Sequence, residues 1–163
     1  MEEDFNLVEF WVQKKPKRWM AGVFAGLFAG LFSMTFASIL AVMAGHEFWY
    51  AVKVPALPIL GASATEVGMN MTSILVGFIA YEFLCVFWAV VFSHFVFSNA
   101  IKVLVPMGMV WACFSWIFLH NLFSKSWHDV KVADTSAGAA FFICVAYGLG
   151  LVSLRFFDKI LNR

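Results

Sequence analysis

No charged residue stands between Arg18 and His46, and the first half of that stretch repeats a four-residue unit: Ala21-Gly22-Val23-Phe24, Ala25-Gly26-Leu27-Phe28, Ala29-Gly30-Leu31-Phe32. Residues four apart on a helix lie nearly above one another. Ala21, Gly22, Ala25, Gly26, Ala29 and Gly30 therefore form one narrow face of small residues, and the rest of the surface is Phe, Leu and Val. In water such a helix is poor, because each Gly costs ~1 kcal/mol relative to Ala. In a bilayer every backbone group must be bonded within the helix, and small residues let a second helix approach closely. The repeat predicts the packing seam of a membrane bundle.

Composition agrees. Of the 163 residues 63% are hydrophobic and 13% charged, with twenty Phe and seven Trp; soluble domains carry about 25% charged residues. Net charge is +1, and the basic residues sit at span ends rather than in a patch, so no nucleic-acid partner is expected. Cys85, Cys113 and Cys144 fall inside apolar runs without a CxxC pair. They read as small hydrophobic fillers.

Residues Phe5 to Gln13 mix apolar groups with acids and predict a short interfacial helix, with Trp11 at headgroup depth. Glu2, Glu3, Asp4 and Glu9 precede the basic cluster Lys14, Lys15, Lys17 and Arg18. That is a poor signal-peptide n-region, so the first span is expected to be retained. Four spans are expected, at about residues 19–44, 71–97, 103–123 and 135–154, all in a single membrane domain over residues 1–163. Pro55, Pro58 and Gly61 break the segment after the first span. It is expected to be extended or short-helical, lying on the outer interface or dipping into it. The fold class is all-α: a four-helix transmembrane bundle with one longer outer loop.

Four spans place both termini on one side. Lys14, Lys15, Lys17, Arg18, Lys102, Arg155, Lys159 and Arg163 fall on that side, and only Lys53, Lys125 and Lys131 on the other. The bias predicts cytoplasmic termini.

Glu82 is the sharpest candidate for chemistry. It lies eleven residues into the second span, ~16 Å deep at helical rise and close to mid-bilayer. An acid at that depth costs roughly 2.5–3.5 kcal/mol on insertion scales and should face the bundle interior with a partner. Tyr81, Ser115, Tyr147 and the indoles of Trp88, Trp111 and Trp116 are candidate donors. Two readings stand: a proton, cation or solute pathway, or a neutral acid bonding another helix. His94 and His120 invite a haem or pigment reading. They belong to opposite ends of antiparallel spans, ~25 Å apart at helical rise, too far for one haem. His46 and His128, with Glu47 and Asp129, fall in the outer loops. A metal site there is conceivable, but the spacing matches no ligand motif. No Ser-His-Asp order, HExxH, P-loop or GxSxG occurs, so no catalytic residues and no enzyme activity are expected.

The AGxxAGxxAG run at 21 to 30, Gly45-His46-Glu47-Phe48-Trp49, the proline-bearing stretch Ala51 to Gly61, Phe118-Leu119-His120-Asn121-Leu122-Phe123 and Ala146-Tyr147-Gly148-Leu149-Gly150 come in one order. This layout resembles the four-helix bacterial inner-membrane proteins of the YagU-like kind. Such proteins often carry a His where Tyr81 or Glu82 stands here. The resemblance implies a multi-pass protein of the bacterial inner membrane, without an assigned activity or cofactor. Taken together, the leading expectation is a non-catalytic small subunit that packs against lipid and against other membrane subunits or itself. Transport or proton handling through Glu82 is the alternative, and a haem or pigment subunit comes third.

Overall fold

The computed structural model describes the backbone of residues 7–126 and 137–162 and the side chains of residues 8–118 and 138–162. The architecture is built around the seam helix. Helix α1 (Leu7–Val12) precedes α2 (Pro16–Met43), which starts with Pro16 in its first turn, where a missing N–H is least costly. At ~1.5 Å per residue α2 outruns the ~30 Å hydrocarbon core. It ends at Gly45, whose φ of 87° is the left-handed conformation that lets the chain turn away.

A short-helical connection follows: α3 (Tyr50–Lys53), a 3-10 turn Val54–Ala56, α4 (Leu57–Leu60) and a 3-10 turn Ala62–Thr65. Each proline sits in a first turn, so the two prolines divide the segment into short helices rather than abolishing helix. Helix α5 (Met71–Phe95) begins with Asn70, whose side chain accepts a hydrogen bond from the Ser73 N–H at 3.2 Å. Helix α6 (Ile101–Ser126) carries Pro106 just past its first turn. Helix α7 (Ala137–Gly150) runs through the 3-10 turn Leu151–Ser153 into α8 (Leu154–Leu161).

Among the described residues all regular structure is helical, and four stretches are long and apolar enough to cross a bilayer: Pro16–Met43, Met71–Phe95, Ile101–Phe118 and Gly138–Leu161. The protein is an all-α membrane bundle. Helix α2 lies against α5, α7 and α8, and α6 lies against α7. Helices α5 and α6 stay apart at the backbone, and aromatic rings bridge them: Trp88 meets Trp111, Phe114 and Phe118 at centroid distances of 5.8, 5.7 and 5.2 Å.

The seam is consumed inside the chain. The glycine row faces α5: a Cβ on Gly22 would meet Ser93, one on Gly26 would meet Val86 and Ala89, and one on Gly30 would meet the Glu82 carboxyl. The alanine row turns toward the last span, where Ala29 touches Gly150 and Ala21 and Ala25 share a core with Leu151 and Leu154. Helices α6 and α7 make a second close crossing, backbone on backbone, at Gly108 and Gly148. The large side chains point outward: Phe24, Phe28, Leu31 and Phe32 on α2 are exposed, and so is Cys113 on α6, unlike buried Cys85.

Candidate functional site

Glu82 projects from the middle of α5 into the seam. Its residue is 6% exposed, and among the described residues neither carboxyl oxygen has a hydrogen-bond partner. The carboxyl rests on Gly30, halfway along α2. A Cβ at position 30 would stand 2.5 Å from Glu82 Oε2 and 2.7 Å from Oε1. The missing side chain of Gly30 is thus the niche that admits the acid. An unpaired buried polar group costs about 1–3 kcal/mol, so the niche is occupied at a loss to stability.

The two tyrosine donors are engaged elsewhere. The Tyr81 hydroxyl lies 2.8 Å from Ser33 Oγ, and Ser33 itself donates to the carbonyls of Ala29 and Gly30 at 2.8 and 3.1 Å. Tyr147 on α7 donates to the Cys85 carbonyl at 2.6 Å. Ser115 and the Trp111 indole nitrogen on α6 are buried without a partner, and no hydrogen bond joins either to Glu82. The three residues proposed as a polar site therefore separate: Glu82 faces Gly30, Tyr81 faces Ser33, and Ser115 belongs to α6.

Beside Tyr81 lies an apolar cleft of about 220 Å³, between the second half of α2, the segment after it, α5 and α7. Ala37, Ala41 and Ala44 form its α2 wall. His46 and Tyr50 stand at its mouth, their rings stacked at 4.2 Å and 6°. His94 lies at the opposite end of α5, where its Nδ1 accepts a hydrogen bond from the Trp19 indole at 3.2 Å. His46 and His94 are not brought together. The side chain of His120, and His128 altogether, lie outside the described residues. Among the described residues no group of three or more His, Cys, Asp or Glu gathers as a metal site.

Two polar clusters escaped the sequence reading. Lys53 is 0% exposed. Its ammonium donates to Glu47 Oε1 and to the carbonyls of Glu66 and Gly68 at 2.7 and 3.0 Å, while the Gly68 N–H donates to Glu47 Oε2 at 3.1 Å. The Lys53 hydrogen bond holds the Glu47 carboxyl below its ordinary range against the opposing effect of burial, with the Gly68 N–H and the Lys53 charge helping. At the other end, Arg18 donates to the carbonyls of Ser93 (2.9 Å) and Val96 (2.5 Å), to Asn99 Oδ1 (3.0 Å) and to Asp158 Oδ2 (3.3 Å). Asn99 also donates to Asp158. Arg18 thus caps the last carbonyls of α5 and ties α2 to α8. Neither cluster has a sequence signature: the first gathers residues across the irregular segment between α2 and α5, and the second joins residues remote in the chain. No protein-family model matches this chain, and no curated protein or solved structure matches it significantly.

Proposed function

We propose that this integral membrane protein is not an enzyme and that it conducts protons, with Glu82 as the group that takes up and releases them. The observation that carries this reading is a mid-depth carboxyl, buried in the bundle and unpartnered at both oxygens. Buried acids that serve structure are bonded, and an intramembrane acid without a bond points to a transfer role. A lone carboxyl suits a proton better than a metal cation, which needs several oxygen ligands. The test is reconstitution in liposomes with a pH-sensitive dye inside and an imposed potential. The expected result is acidification above that of empty vesicles, lost in the isosteric Glu82→Gln variant. A Glu82→Gln protein that conducts like its parent overturns the reading.

A second reading, a small subunit of a larger assembly or homo-oligomer, rests on α6. Among the described residues that helix packs mainly along α7 and the turn Leu151–Ser153, and its Val110 and Phe114 are exposed. The glycine seam no longer supports it, because that seam is filled from within the chain. Native mass spectrometry of gently extracted protein decides it: a mass above that of one 18.3 kDa chain supports assembly, and a lone monomer removes it. Both readings place the protein in a bacterial inner membrane with cytoplasmic termini, on the charge bias and on the resemblance.

A further inference from the structure

The apolar cleft and Glu82 are linked through two hydroxyl groups. The cleft lies on the half of the bundle remote from the termini, and Tyr81 is its innermost wall on α5. Ser33 lies one turn along α2 from Ala37 and two turns from Ala41, so the Tyr81–Ser33 bond sits just beyond the cleft's alanine wall. Either hydroxyl can donate across that pair, and the Ser33 contacts to the Ala29 and Gly30 carbonyls favour Tyr81 as the donor. Gly30 in turn carries the Glu82 carboxyl on its open side. Cleft, Tyr81 and Ser33 follow one another through contacts, and Gly30, one turn before Ser33, carries the Glu82 carboxyl, to which Ser33 itself makes no hydrogen bond. The alanines keep the cleft open where larger side chains would fill it. Of the other ionisable groups nearby, His46 lines the cleft itself, stacked on Tyr50, while Tyr147 is turned to the Cys85 carbonyl and Glu47 is held by Lys53.

We propose that this cleft is the access route to Glu82 from the end remote from the termini, and that Tyr81 and Ser33 pass protons between cleft water and the carboxyl. The inference rests on the proton-conducting reading above. The transfer balances. A hydronium ion in the cleft gives a proton to the Tyr81 oxygen while Tyr81 releases its own proton to Ser33. The Ser33 hydroxyl turns from the Gly30 carbonyl and passes its proton through one bridging water to the Glu82 carboxylate. One proton moves, water is left in the cleft, and each hydroxyl ends with one hydrogen.

The test uses the full chain in liposomes, with Cys85, Cys113 and Cys144 replaced by Ala and a single cysteine introduced as Ala37→Cys or, if that variant does not fold, Ala41→Cys. A charged, membrane-impermeant methanethiosulfonate is applied from each side in turn. The expected result is labelling from the side remote from the termini only, with flux blocked by the label. Tyr81→Phe and Ser33→Ala are expected to lower flux roughly tenfold or more, as for loss of a proton-transfer group. Carbodiimide labelling of Glu82 and thermal melting should stay unchanged in both variants, which a merely structural role for the pair would not allow. A cleft cysteine that stays unlabelled, with parental flux in Tyr81→Phe and Ser33→Ala but none in Glu82→Gln, overturns the route and leaves the Glu82 reading standing. Parental flux in Glu82→Gln overturns both.

Discussion

At the scale of the residue, the pairing of Gly30 with Glu82 inverts an ordinary rule. Gly to Ala inside a helix normally stabilises by ~1 kcal/mol. Here the added methyl would overlap both carboxyl oxygens. Gly30→Ala is expected to destabilise by about 1–3 kcal/mol through overpacking, measured by thermal unfolding in detergent. Combining it with Glu82→Ala should remove most of that loss, since the two sites share one space. A strictly additive double mutant would show that the acid does not occupy the Gly30 niche. The presence of an acid at mid-span was legible from position alone. Its lack of a partner was not, because two of the candidate donors find other partners visible only in three dimensions, Ser33 for Tyr81 and the Cys85 carbonyl for Tyr147, and the donors on α6 do not reach it.

At the scale of the element, the segment between α2 and α5 is fastened by Lys53. Reading it as an interfacial stretch broken by prolines captures its short helices but not the fully buried ammonium. A single Lys among Tyr50, Val52 and Val54 carries no sign that Glu66 and Gly68 will fold back over it. The clamp has a pH signature. Because the folded Glu47 carboxyl is held below its ordinary value of 4.5, its contribution is present above that value and is lost as pH falls through the lower, folded one. Melting curves taken downward from neutral pH should show an acid-induced loss of stability beginning below about pH 4.5, the ordinary carboxyl range. That loss should be reduced in Glu47→Gln. An identical acid profile in both proteins would show that the ion pair does not hold the segment. The last span offers a second case. Arg155, Asp158 and Lys159 read as a charged tail, yet α8 stays helical because Leu154 and Asp158, one turn apart, face inward, and Asp158 meets Arg18.

At the scale of the whole molecule, the bundle class was legible because four apolar stretches of helical length, one of them interrupted only by Glu82, leave no other solution in lipid. The order of packing was not. Nothing in the repeat says that glycines would face α5 while alanines face the last span, or that α5 and α6 would be held apart by Trp88 and Trp111. The ends of α2 and α8 meet through Arg18 and Asp158, so the first and last spans open on one face, and the charge bias predicts which. A fluorescent protein fused after Arg163 is expected to fold and fluoresce in bacteria, and alkaline phosphatase at the same point to be inactive. The reverse pattern would turn the molecule over. The seam helix finally sets how the chain tolerates change. Along one side of α2, positions 22, 26 and 30 accept no growth, because α5 already occupies the space of a single carbon atom. On the other side, positions 24, 28 and 32 present rings to the exterior, where any apolar side chain of any size meets the same fluid solvent. One helix thus joins a surface read atom by atom to a surface read only by polarity, and random substitution along it should give survivors in two alternating registers, one strict and one permissive.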